Sequence, residues 1–181
     1  MPLSSPYSQI CGQCLKKTPP FSKVIPYGLY EGVLAEAINQ FKFYGLNRLS
    51  RPLGMLLIHL DIPRADGIVP VPLSIKRLRE RGFNQSLLIA RVVSKMTGIP
   101  LFMDTLVKKK DTLPQIGLSA KERLLNLKNA FTVEENIRDR RLLLIDDVMT
   151  TGATVRECSK QLIKAGAKEV IVLILARANM M

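Results

Sequence analysis

The sequence predicts an α/β protein built on a doubly wound parallel sheet, with a small N-terminal Cys-x-x-Cys appendage. Three observations carry that expectation. From Gly67 onward, short apolar runs alternate with segments of helical period, the order of a parallel sheet linked by crossover helices. Two of the runs, Leu142-Leu143-Leu144-Ile145 and Val170 to Leu175, are continuous rather than alternating, as expected of strands covered on both faces. A chain of 181 residues without an internal repeat suits one domain plus a short extra piece.

Taken in order, residues 1–22 form the appendage, rich in Pro and Ser. It carries Cys11-Gly-Gln-Cys14 and ends near Thr18-Pro19-Pro20, punctuation that marks a linker or turn. Val24 to Tyr30 reads as a strand and opens the domain proper, 23–181. Val33, Leu34, Ala37, Ile38 and Phe41 recur at helical spacing, which predicts a helix over 32–43. A second helix is expected from Leu46 to His59. Ile68-Val69-Pro70-Val71 is a short strand stopped by prolines. Asn84 to Met96 is a helix, with Gly98 and Pro100 as its stop. Leu101 to Leu106 reads as a strand, and Lys108 to Leu118 as a loop, having charge, Pro and Gly but no apolar period. Ser119 opens a capping box with Glu122. After the Leu142 strand, Thr154 to Ala165 is a helix stopped by Gly166, with Val155, Cys158, Leu162 and Ile163 on one side. Val170 to Leu175 completes the sheet.

Composition bounds the function. Lys and Arg number 27 against 15 Asp and Glu, a formal charge of +12. A hydrophobic fraction of 47% with 23% charged residues excludes a disordered polycation, which could not bury enough apolar surface to offset the entropy of ordering. No apolar run approaches the roughly 18 to 20 residues that span a bilayer, so no membrane insertion is expected. The start MPLSSPYSQI has neither the basic head nor the apolar stretch of a secretory signal, and a cytoplasmic protein is expected. Three cysteines, an odd count with one close pair, are not a disulfide framework. One histidine (His59, read as a capping or surface residue) and no tryptophan leave histidine-based catalysis little to work with. The charge excess points to an anionic partner: nucleic acid, an acidic membrane or a phosphate-rich small molecule.

The informative stretch is Leu142 to Thr154, LLLIDDVMTTGAT. A buried strand runs into Asp146 and Asp147, then into a Thr150-Thr151-Gly152-Ala153-Thr154 turn that opens a helix. In open α/β sheets, ligands sit beyond the carboxyl ends of the strands, where this turn falls. Threonine hydroxyls and the free N–H groups of a helix's first turn, with its dipole, make a phosphate cradle. Paired carboxylates beside it suit sugar hydroxyls or Mg²⁺, which prefers oxygen ligands. A solvated turn and a plain helix cap would explain either half alone, but not the whole arrangement.

This stretch resembles the phosphoribosyl pyrophosphate (PRPP) motif of type I phosphoribosyltransferases. Val69-Pro70-Val71-Pro72, Arg77-Leu78-Arg79-Glu80-Arg81-Gly82-Phe83-Asn84-Gln85, Gln115 with Leu118, Glu122-Arg123 with Asn126, and Ala130-Phe131 are similar to the ComF/GntX, or competence-protein-F-like, branch. The resemblance implies a type I phosphoribosyltransferase-like fold, with 24–63 as a candidate hood and 64–181 as the PRPP-binding core. It implies that Asp146 and Asp147 are the catalytic pair, holding the ribose hydroxyls with Mg²⁺. Thr150, Thr151, Gly152, Ala153 and Thr154 would wrap the 5′-phosphate. Pro72, Leu73, Ser74 and Lys76 would form the pyrophosphate loop, with Arg77 and Arg81 as cationic partners. The segment with Lys108, Lys109, Lys110 and Gln115 would be a flexible loop closing over the site.

The basic run Lys76 to Arg81 has three readings. At helical spacing Arg77 and Arg81 share a face, as a pyrophosphate clamp needs. The run could equally track a nucleic-acid backbone or be a solvated surface. A single-strand groove interleaves aromatics, and Phe83 stands alone here, so that reading ranks below the clamp. In the resembling family a four-cysteine finger precedes the transferase domain, and Cys11 and Cys14 supply half of such a zinc site. A finger start upstream of Met1, a decayed finger and zinc shared between two chains all remain open. Cys158 reads as a core residue.

The function implied is binding of PRPP with Mg²⁺ and transfer of the phosphoribosyl group to a nitrogenous acceptor base. The alternative is a non-catalytic accessory of DNA uptake or single-stranded DNA handling, with the PRPP pocket a sensor or relic. A homodimer is compatible with either reading but is not legible in the residues.

Overall fold

The computed structural model describes residues 18–109 and 127–178. Cys11, Cys14, Lys110, Gln115 and the capping box at Ser119 lie outside them. The elements are β1 (Lys23–Leu29), α1 (Gly32–Phe43), a 3₁₀ turn (Asn47–Leu49), α2 (Ser50–Ile58), β2 (Gly67–Pro70), α3 (Ile75–Arg81), α4 (Gln85–Thr97), β3 (Leu106–Lys108), β4 (Phe131–Val133), β5 (Arg141–Met149), α5 (Ala153–Lys164) and β6 (Glu169–Arg177). The main sheet has four strands in the order β1-β6-β5-β2, every pair parallel. Strands β3 and β4 form a separate antiparallel pair. No helix among the described residues is long and apolar enough to cross a membrane.

The continuous apolar runs sit where a doubly covered sheet needs them. β6 is buried from Val170 to Ala176, and Leu142 to Ile145 of β5 are wholly buried. On one face Ile38 and Phe41 of α1, Leu53 and Leu57 of α2, and Ile89 and Val93 of α4 pack with Leu143, Ile145, Ile171 and Leu173. On the other, Val155, Cys158 and Leu162 of α5 and the β3–β4 pair meet Leu142, Leu144, Val170 and Val172. Each sheet face thus has its own core, the three-layer solution for a parallel sheet. β1 tolerates Pro26 because it is an edge strand, where a missing N–H breaks no ladder on its open side. The segment 24–63 supplies this edge strand and two helices of one layer.

Three elements differ from expectation. The strand expected over 101–106 shrinks to one parallel bridge, Leu101 to Ile68, held by Ile68 N–H to Pro100 O and Phe102 N–H to Ile68 O, each 2.8 Å. This bridge covers the outer edge of β2, and the chain then turns towards β3. The second helix begins at Ser50 behind a 3₁₀ turn rather than at Leu46. β5 does not end at Ile145 but runs through both acids to Met149, because its backbone stays paired with β6 at Asp146–Ile174, Val148–Ala176 and Met149–Arg177. Backbone pairing is indifferent to the side chains it carries, and the two aspartates ride on a strand rather than in a turn.

Candidate functional site

The site forms where β2 and β5 deliver their carboxyl ends. Along β5, Leu142 and Leu144 pack on one face and Leu143 and Ile145 on the other. Beyond the acids the phase reverses, with Val148 in the second cluster and Met149 in the first. At this irregularity both carboxylates take partners from the layer of α1 and α4. Ser86, in the first turn of α4, donates from Oγ to Asp146 Oδ1 at 3.0 Å, and the Asp147 N–H donates to the same oxygen at 3.0 Å. Lys42, in the last turn of α1, donates to Asp147 Oδ1 at 3.0 Å and lies 2.8 Å from Oδ2. The Val148 N–H also donates to Asp147 Oδ1, at 2.6 Å.

The electrostatics follow from burial and proximity. Desolvation, and then the neighbouring Asp147 carboxylate, push Asp146 up to about 7, against the pull of Lys42 and the two hydrogen bonds. Arg81 is held below its usual value by burial and by the nearby Arg77 guanidinium, with Asp147 acting in the opposite sense. Arg77 and Arg81 therefore lie near each other, and Arg81 also feels the Asp147 carboxylate. α3 carries them: Ser74 caps it by accepting the Arg77 N–H at 3.4 Å, and Gly82 closes it at φ 77°. Pro72, Leu73 and Ser74 form the link from β2 to α3, while Lys76 is exposed on the helix.

The Thr/Gly turn lies where the acids lead. Gly152 is the N-cap of α5 at φ 75°, without a side-chain cap, whereas α4 is capped by Asn84 accepting the Leu87 N–H at 3.3 Å. The glycine is required by that φ, and a Cβ there would also stand 2.9 Å from the Met149 methyl. Ala153 is buried, Thr151 and Thr154 half-buried, and Thr150 exposed at the rim. A helix start at a glycine N-cap beside two carboxylates places backbone N–H groups towards an anion and oxygen ligands towards what accompanies it.

Other expected residues fall elsewhere. Lys108 Nζ lies 5.7 Å from the centre of the Phe131 ring, and Lys109 pairs with Glu134 at 2.8 Å. These lysines thus stand on the β3–β4 pair, and Lys109's charge is already matched. Cys158 is wholly buried, its thiol pushed well above the usual range by desolvation. His59 is exposed at the end of α2. Among the described residues, no three His, Cys, Asp or Glu gather as a metal cage. The adjacent carboxylates of Asp146 and Asp147 are oxygen donors of the kind Mg²⁺ takes, one or two at a time, with water and substrate phosphates completing its shell. A depression of about 520 Å³ lies at the opposite end of the sheet, lined by Arg64, Asp66, Thr97 and Arg141 among others, and includes none of the expected site residues.

Sequence reasoning missed Lys42, Ser86 and the aromatic pair Phe43 and Tyr44. The two aromatics are 59% and 72% exposed, and the Arg81 guanidinium lies 5.4 Å from the Phe43 ring centre. Phe83, by contrast, packs against Phe41, with ring centres 5.5 Å apart.

Residues 83–180 match the model of the phosphoribosyl transferase domain. Over 185 residues the chain is 40% identical to competence protein F of Haemophilus influenzae, covering 95% of this chain and 80% of that protein. The chain belongs to the competence protein F family. Within that family it is also 36% identical to the DNA utilization protein YhgH of Escherichia coli K12 over 176 residues, covering 92% and 77% of the two chains. Among solved structures, glutamine PRPP amidotransferase from B. subtilis, complexed with ADP and GMP, superposes with a TM-score of 0.50. It is 25% identical, over 69% of this chain and 25% of that one. The competence protein F family is thus carried here on a phosphoribosyltransferase fold.

Proposed function

We propose that the chain binds PRPP together with Mg²⁺ and transfers its phosphoribosyl group to a nitrogenous acceptor. One observation carries this reading: Asp146 and Asp147 lie near the end of β5, Asp147 five residues before Gly152, the N-cap of α5. Asp146 and Asp147 would hold the ribose hydroxyls, and the Gly152–Thr154 backbone the 5′-phosphate. Arg77 and Arg81 would face the pyrophosphate. Mg²⁺, when bound, supplies charge neutralisation on the pyrophosphate. In the transfer the acceptor nitrogen bonds to the anomeric carbon, the bond to pyrophosphate breaks with its electron pair leaving on oxygen, and the acceptor gives up a proton. Positive charge that builds on the ribose carbon calls for electrostatic stabilisation rather than a protein nucleophile. Calorimetry with PRPP and Mg²⁺ tests the reading: wild type should bind, and Asp146→Asn/Asp147→Asn should bind at least about tenfold more weakly. A wild-type chain that binds no PRPP would overturn it.

A second reading, single-stranded DNA handling, gains from two exposed aromatics, Phe43 beside Arg81 of the basic helix α3 and Tyr44 next to Phe43 in sequence. Stacking rings next to guanidinium groups are the ingredients of a sequence-tolerant single-strand platform. The names of the relatives, competence and DNA utilization, agree in kind. Fluorescence anisotropy with a labelled oligonucleotide should give an affinity that falls steeply with salt. Phe43→Ala/Tyr44→Ala should weaken binding while leaving that salt slope in place, and an unchanged affinity would remove this reading.

A further inference from the structure

Lys42 lies outside every motif in the sequence, 105 residues before its partner Asp147. Its ammonium straddles that carboxylate, 2.8 Å from Oδ2 and 3.0 Å from Oδ1. Both side chains are largely withdrawn from water, 22% exposed for Lys42 and 8% for Asp147. Solvent and salt screen such a pair far less than a surface bridge. Lys42 therefore occupies the place at Asp147 that a sugar hydroxyl or a divalent cation would take.

The position and the residue type both suit a cation that changes partners. α1 ends at Phe43, and its last carbonyls favour positive charge at this point. A lysine is a compact charge with three donors on a flexible stem, whereas an arginine would be fixed in a planar fork. In the empty site, the ammonium offsets two adjacent carboxylates that would otherwise repel each other. In a filled site, the arriving oxyanions offer it a second partner within the sweep of its stem. Each charge then keeps a counter-charge throughout the exchange.

We infer that Lys42 is a ligand-positioning residue, an internal cation that holds Asp147 in the empty site and passes to the oxyanions of an incoming phosphosugar, freeing the carboxylate. The exchange half of this inference rests on the PRPP reading above. It requires opposite effects on two ligands, which a purely structural lysine would not produce. Removing Lys42 takes away a competitor of the bare metal ion and, at the same time, a partner of the phosphates.

Mn²⁺ binding followed by electron paramagnetic resonance, and PRPP with Mg²⁺ followed by calorimetry, separate these effects on the full chain. Lys42→Met should bind Mn²⁺ roughly threefold or more tightly than wild type, and PRPP with Mg²⁺ about tenfold or more weakly. Lys42→Gln keeps a donor for Asp147 where the methionine variant fails to fold, and the same opposed shifts are expected of it. Lys42→Arg should recover part of the PRPP affinity, restoring the charge but not the flexible point-charge geometry. Equal Mn²⁺ affinity in wild type and the uncharged variants, or parallel loss of both ligands, overturns the role of Lys42. A wild type that binds Mn²⁺ but no PRPP overturns the PRPP reading and the exchange with it, while the Mn²⁺ comparison still decides whether Lys42 guards Asp147.

Discussion

Asp146 shows how one half-buried carboxyl leaves a mark on the whole protein. Its folded value of about 7 stands above the 3.8 of an ordinary aspartate. Between about pH 4 and pH 7 the folded chain therefore holds a proton that the unfolded chain has released. Stability from this group falls as pH rises through that interval and levels off above it. Asp146→Asn removes the dependence, so its melting temperature should match wild type near pH 4 and exceed it most above pH 7. An offset that is constant across the range would refute the assignment. Gly152 makes a second residue-scale claim: at φ 75°, Gly152→Ala should cost roughly 1–2 kcal/mol in urea unfolding, chiefly from the left-handed backbone. The acids and the Thr/Gly turn were legible because they are contiguous, strand into turn into helix. Their partners were not. Ser86 and Lys42 reach them from 60 and 105 residues away, and a single Ser or Lys in a helix leaves no local signature of a distant carboxylate.

Among the elements, the helices with strong apolar period and proper ends were the most readable. α4 starts at the Asn84 cap and stops at Gly98 in the left-handed region, as its sequence predicts, and α1 spans the expected 32–43. α3 had no such trace, because Ile75 and Leu78 face solvent and the helix buries no residue. Its start and stop lie instead in Ser74 and Gly82. The three-residue strands β3 and β4 are shorter than any periodicity can report. Packing between α2 and α4 gives a sharper test. A Cβ on Gly54 would sit 2.7 Å from Val92 Cβ and Cγ1, so the helices approach at a point only glycine fits. Gly54→Ala gains about 1 kcal/mol of helix propensity but loses roughly 1–3 kcal/mol to overpacking. The melting temperature should fall, and a rise would show that Val92 yields freely. The Lys109–Glu134 pair, with both side chains about half exposed, belongs at the other end of the scale. Glu134→Gln should leave the urea-unfolding midpoint almost unchanged.

At the scale of the molecule, the charge of +12 acquires a geography. Lys42 and Arg81 lie near the acidic pair, with Arg77 beside Arg81, while Arg79 and Lys76 are exposed on the same helix. The sheet places this cluster at the carboxyl ends of β2 and β5, and both proposed functions draw on it. The same sheet has a temporal consequence. Its first strand pairs with its last: Ser22 and Val170, 148 residues apart, are hydrogen-bonded, and β6 lies between β1 and β5. The strand that pairs with β1 is therefore made about 140 residues after it. A chain truncated at Lys168 should be cleaved rapidly by protease, whereas one that runs through Arg177 should resist it. Until β6 emerges, the apolar faces of β1 and β5 await a partner, the kind of exposure that chaperones meet during synthesis.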